Sequence, residues 1–143
     1  MLGPVRDRLS LTSEVEQVGD ARHWCAEQAR RAGFDADGVM EVELAVTEAV
    51  SNVIRHAYDG EPGHLIEVDA LLDEGTLELR IIDHGVPFDG AAYRGVNLDE
   101  ATEGGYGVYL IETLMDEVRR ETTADGDSQL VLIKRTGGQT HEA

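Results

Sequence analysis

Residues 65–72, LIEVDALL, and 76–83, TLELRIID, are two runs of alternating character separated by Asp-Glu-Gly. Ile66, Val68 and Ala70 share one face of the first, and Leu77, Leu79 and Ile81 share one face of the second. Period-two alternation broken by a Gly-containing turn predicts an antiparallel hairpin with one apolar face. Such a hairpin is marginal in water until another layer covers that face, so the rest of the chain has to supply the cover.

The flanking sequence offers it. VRDRLSLT (5–12) alternates Val5, Asp7, Leu9 and Leu11 against Arg6, Arg8, Ser10 and Thr12, as a half-buried strand does. Ser13 with Glu16 three residues on predicts a capping box, and Val15, Val18, Cys25, Ala29 and Ala32 then recur at helical spacing up to a stop at Gly33. Asp37 is the expected cap of a second helix over 39–57, with Val39, Val42, Val46, Val50, Val53 and Ile54 on one face. YDGEPGH breaks that helix. Val108, Ile111, Leu114, Met115 and Val118 mark a third helix, and RRETTA, DGD and SQLVLIKR predict a last hairpin.

This order predicts an α/β two-layer sandwich, with a mostly antiparallel mixed sheet and about three helices on one face. The 143 residues fit one domain over 1–135, with TGGQTHEA at 136–143 a frayed tail. Acidic residues outnumber basic ones 29 to 12, a net charge of -17, which disfavours direct nucleic-acid contact and anionic membranes and favours a basic protein partner. Residues 1–10 lack the apolar stretch of a secretory signal, and no run approaches a membrane span. A single cysteine, Cys25, cannot form an intrachain disulfide and reads as core packing, so a cytoplasmic protein is expected.

Three stretches carry polar residues that packing does not demand. In EAVSNVIRHAY (48–58), Glu48 and Asn52 are one helical turn apart, opposite the apolar stripe, and so are either solvated surface or a site. In DHGVPFD, Asp83 ends a strand with Gly85 two residues on, a pattern that a plain turn also explains. In GGYGVYLIE, Gly104, Gly105 and Gly107 directly precede a helix; glycines there let backbone N–H groups close on a phosphate, or serve as a hinge. The spacing fits neither the Walker A nor the Rossmann fingerprint.

Taken together and in order, Glu48-x-x-x-Asn52, Asp83-x-Gly85 and Gly105-x-Gly107 resemble the N, G1 and G2 boxes of the GHKL ATPase superfamily. LAVTEAVSNVIRHAY, DHGVPFD and GGYGVYLIETLMDEV look most like its stand-alone anti-sigma factor serine/threonine kinases. The resemblance implies the Bergerat ATP-binding fold, a histidine-kinase-like ATPase domain, with ATP and Mg2+ bound. It gives Asn52 as the magnesium ligand, Glu48 as the general base, and Asp83 with Gly85 as the adenine site. Gly105 and Gly107 match the phosphate loop, Arg55 is positioned to touch phosphate, and Gly104, Tyr106 and Val108 count among the nucleotide-binding residues, with a lid at about 90–103. The implied activity is phosphorylation of a Ser or Thr on an anti-anti-sigma (STAS-type) partner, combined with sequestration of a sigma factor, and a homodimer is implied too. The alternative is a non-catalytic ATP-binding regulatory module. His84 and Tyr106 are read as pocket lining or as surface and lid residues, and His56 as part of the site or, with Tyr58, as closing the helix end. Two positions depart from the pattern: Pro87 replaces a glycine, and Asp127-Ser128 stands where Gly-Thr is usual, which adds a charge at the last box.

Overall fold

The computed structural model describes residues 5–85 and 104–136. Among these residues, five strands and three α-helices follow the order β1 (Val5–Thr12), α1 (Glu16–Ala32), α2 (Ala36–Asn52), a π-helical turn (Val53–Ala57), β2 (Leu65–Asp73), β3 (Thr76–Asp83), α3 (Gly104–Leu114), β4 (Glu117–Thr122) and β5 (Ser128–Arg135). The sheet runs β1-β2-β3-β5-β4, and every pairing in it is antiparallel. The expected hairpin closes through Glu74 and Gly75, whose φ of 40° and 78° are the positive pair a tight two-residue turn requires.

Leu11, Ile66, Val68, Ala70, Leu77, Leu79, Ile81, Leu130 and Leu132 form the buried sheet face, and Val18, Cys25, Val42, Val46 and Val50 come down on it from the helices. Two layers around one core thus result, as the element order demands. Burial pushes the Cys25 thiol up to about 12, so it packs as a small apolar side chain. Among the described residues, no helix is long and apolar enough to cross a membrane.

Several local expectations are corrected. Ser13 does not cap α1: its Oγ donates to Glu61 O (2.7 Å) and accepts from His64 N (3.0 Å), pinning the 59–64 loop beneath the helix start. A hydroxyl with longer-range partners is unavailable for a capping box. The cap of α2 is Asp35, whose side chain accepts from Gly38 N at 2.9 Å, two residues before the expected Asp37. Val118 belongs to β4, because pairing with Leu132 outweighs its helical spacing to Met115. Gly33 does end α1, at φ 101°. The Pro87 position, the 90–103 segment and the tail beyond Thr136 lie outside the described residues.

Candidate functional site

Helix α2 is the spine of the site. Its apolar stripe lies on the sheet, and the face carrying Glu48 and Asn52 meets α3 rather than solvent. Asn52 is 7% exposed and Glu48 half-buried. The contact is close at Gly107, where a Cβ would sit 2.9 Å from Glu48 Oε2 and 3.3 Å from Asn52 Nδ2. Only glycine lets α3 approach both side chains this way. Gly104, Gly105 and Tyr106 are themselves helical, so these residues form the first turn of α3 instead of preceding it, and Val108 is half-buried in the same helix.

After Asn52 the helix widens into a π turn, in which Tyr58 N donates to Val53 O. Single π turns recur at functional sites, because the extra residue re-aims the side chains around it. Arg55 lies in this turn and its Nη2 donates to Asn52 Oδ1 at 2.5 Å. Asn52 Nδ2 and Arg55 Nε are buried with no hydrogen-bond partner. Orphaned buried donors are uncommon in folded proteins, and two within one side-chain pair mark a place built for a polar ligand.

The third stretch reaches the end of the same helix. Asp83 is the last residue of β3, 7% exposed, and burial raises its carboxyl above the ordinary value, opposed by the Gly85 N–H donated to Oδ1 at 3.1 Å. A Cβ on Gly85 would lie 2.4 Å from Ala57 O and 2.8 Å from the Tyr58 ring. Close packing of this loop on the π turn is therefore a requirement for glycine that the sequence reading did not foresee. Tyr58 closes the joint: its hydroxyl donates to Leu65 O (2.6 Å) and accepts from His84 N (2.8 Å), while His56 is exposed. The departure at Asp127 is also explained, since its Oδ1 lies 2.9 Å from His84 Nδ1.

A family model described as histidine kinase-like ATPase domain matches residues 11–134. The chain belongs to that family. A serine-protein kinase RsbW of Listeria monocytogenes is 36% identical over 119 residues, covering 78% of this chain and 76% of its own. That of Bacillus subtilis is 33% identical over 119 residues, covering 78% and 74%. Among solved structures, the RsbU and RsbW domains of a Mycobacterium tuberculosis protein superpose with TM-score 0.65 at 21% identity, over 92% of this chain and 32% of that longer one. The last similarity shows the fold, a histidine kinase-like ATPase sandwich.

Within that fold, the residues singled out from sequence form two groups joined by the π turn: Glu48, Asn52, Arg55 and Gly107 at one end, Asp83 and Gly85 at the other. Tyr58, read as closing the helix end, does so and also ties the two groups together. One contributor was missed. Lys134, 6% exposed, donates to Leu114 O (2.6 Å) and pairs with Glu41 (2.8 Å), so the C-terminal end of α3 is fastened to α2 from β5. A lysine at an inward position of SQLVLIKR was its signal.

Proposed function

We propose that this chain is an ATP-dependent serine/threonine protein kinase of the anti-sigma type, acting in the cytoplasm, that phosphorylates an anti-anti-sigma (STAS-type) protein and sequesters a sigma factor. The observation that carries this reading is the burial of Asn52 against Gly107 beside Glu48, with orphaned donors on Asn52 and Arg55. The shared name of the relatives, serine-protein kinase RsbW, supports the reaction class.

The residues fit a magnesium nucleotide. Asn52 offers a neutral amide oxygen, suited to an ion that keeps waters and takes other ligands from phosphate. Arg55, bonded to that oxygen, has a free fork nitrogen to turn toward phosphate. Magnesium, when bound, withdraws charge from the triphosphate oxygens. Asp83 accepts the adenine amine, which favours adenine over guanine. Glu48 accepts the proton of the incoming Ser or Thr hydroxyl as its oxygen bonds the γ-phosphorus; the γ-phosphorus bond to the bridging oxygen breaks, and ADP leaves with that electron pair. The charge of -17 steers a basic partner surface toward the protein, with a rate that falls as salt rises.

The test is incubation with MgATP and the STAS-type partner, followed by mass spectrometry of the partner. One added phosphate is expected. Glu48→Gln slows transfer by about 10²–10⁴-fold while leaving ADP affinity near that of the wild type. A wild-type chain that binds ATP without transferring, and a Glu48→Gln variant indistinguishable from it, would leave the regulatory binding module as the function.

A further inference from the structure

His84 lies between two carboxylates. Its Nδ1 is 2.9 Å from Asp127 Oδ1 and its Nε2 is 3.3 Å from Glu67 Oε1. The ladder places it there: Asp83 pairs with Ser128, so one step further His84 stands opposite Asp127, and Glu67 is diagonal to it on β2. Alternation along β3 sends Asp83 to the helix side with Ile81, and His84 to the other side with Ile82. The clamp therefore lies behind the Asp83 carboxylate, on the opposite face of the sheet.

Both jaws are held. Glu67 also pairs with Arg8 of β1 (3.0 Å), and Arg8 in turn with Asp69 (2.5 Å). Asp127 sits in a tight turn in which Thr123 N donates to Asp127 O (2.8 Å) and Asp127 N donates to Thr123 Oγ1 (3.0 Å), with Gly126 at φ 89°. The backbone of His84 is fixed as well, through its N–H to Tyr58 Oη. Residue 84 is thus restrained by β2, by the β4–β5 turn and by the π turn, at the point where the β3 ladder has ended.

We propose that His84, clamped by Asp127 and Glu67, is a positioning residue that fixes the direction of Asp83 for adenine. The proposal rests on the reading of Asp83 as the adenine anchor. A hydrogen bond to a base edge demands its acceptor within a few tenths of an ångström, and a strand end without further ladder bonds does not hold a side chain that well. The glycine usual at position 127 in the resembled pattern has no carboxylate to do this, so the departure at Asp127 becomes a gain. The pair is charge-assisted while the imidazole is protonated; Asp127 first and then Glu67 raise its pKa above the ordinary histidine value. The other groups that face this corner are Tyr58 from the π turn, Asp83 itself, and Arg120 of β4, which acts on Asp83. Raising the pH through the His84 pKa removes the charge and loosens the clamp.

The experiment is equilibrium binding of ADP and of GDP to the full chain, for wild type, His84→Gln, Asp127→Asn, the double variant and Asp127→Glu. The ratio of the two affinities cancels the ionisation of the phosphates, which both nucleotides share. Each single variant is expected to lower the ADP preference about three- to tenfold, with the double variant no worse than the poorer single one. Asp127→Glu restores part of the loss. In the wild type the preference falls as pH rises through the raised His84 pKa, and in His84→Gln it is flat. Thermal unfolding without nucleotide separates loss of fold from loss of position, and Asp127→Asn is the milder change if His84→Gln folds poorly. Single variants with the wild-type ratio, or losses that simply add, would overturn the proposal alone. A wild type with no preference for ADP would overturn the adenine reading and this proposal with it.

Discussion

The two ends of the candidate site follow opposite plans. Around Asn52 and Arg55, one bond is made between the two side chains and two buried donors are left without partners. Around residue 84, the backbone N–H, both ring nitrogens and the Tyr58 hydroxyl are all engaged within the protein. A pre-bonded pocket costs little further ordering when its ligand arrives, whereas an unsatisfied one gains most from the ligand itself. On the function proposed above, the base end is set in advance and the phosphate end is completed by what it binds. Each variant below strikes one end and spares the other.

The largest effect is expected at the incomplete end. Gly107→Ala improves intrinsic helix propensity by about 1 kcal/mol, but its Cβ would press on Glu48 Oε2 at 2.9 Å. The carboxylate is the tip of a flexible side chain and moves aside at little cost, so the fold survives while the base is displaced. Phosphoryl transfer should fall by about 10²-fold with the melting temperature nearly unchanged, because small misplacements of reacting groups are that expensive. Steady-state transfer measured beside thermal unfolding checks it; unfolding in step with the loss of rate would mean that Gly107 serves packing only.

At the pre-bonded end the smaller, structural effect is expected. Tyr58→Phe keeps the ring, which stacks on His64 at a centroid distance of 4.6 Å, and removes only the hydroxyl. Leu65 O and His84 N, both on exposed residues, then lose their partner, at about 1 kcal/mol. Urea denaturation should show that loss. A midpoint equal to the wild type would mean that water takes over both bonds, and that this end is not held by Tyr58.

The same contrast explains what could be read in advance. Three strands were legible to the residue, β1 at Val5–Thr12, β3 at Thr76–Asp83 and β5 at Ser128–Arg135, because period two with one buried face leaves a single register open, whereas β4 begins at Glu117, ahead of the expected RRETTA. The helix starts were not. Asp35 and Asp37 are equally able to cap, and Ser13 was claimed by a loop 48 residues away, which no local pattern reveals. Nor could helical spacing alone show that the Glu48 and Asn52 face is covered: that depends on α3, whose Gly107 lies 55 residues beyond Asn52 in the chain. The π turn is equally invisible, since its apolar residues continue the α-helical stripe. The site was legible only through the joint resemblance of three separated motifs, and its supports at Tyr58, His84, Asp127 and Lys134 only through the fold.

The smallest effect sharpens the comparison by setting stability against binding at a single atom pair. Asp83 is buried, and burial holds its carboxyl above the ordinary pKa, with Arg120 and His84 offsetting only part of that. A carboxyl whose folded pKa exceeds its unfolded one binds its proton more tightly in the folded chain. Its contribution to stability is therefore fully present below the unfolded pKa and lost as pH rises through the folded one. At neutral pH the ionised Asp83 is thus a burden on the empty protein. Asp83→Asn, neutral and nearly isosteric, should raise the melting temperature slightly at neutral pH, and the gain should vanish as pH falls below the carboxylate range. The same variant should lose its preference for ADP over GDP, because the amide presents a donor where adenine needs an acceptor. Melting curves at acid and neutral pH, with the two affinities, test both halves. A variant destabilised at neutral pH would show that the Gly85 N–H bond to this carboxylate outweighs its desolvation, and that Asp83 is retained for the fold rather than for the base.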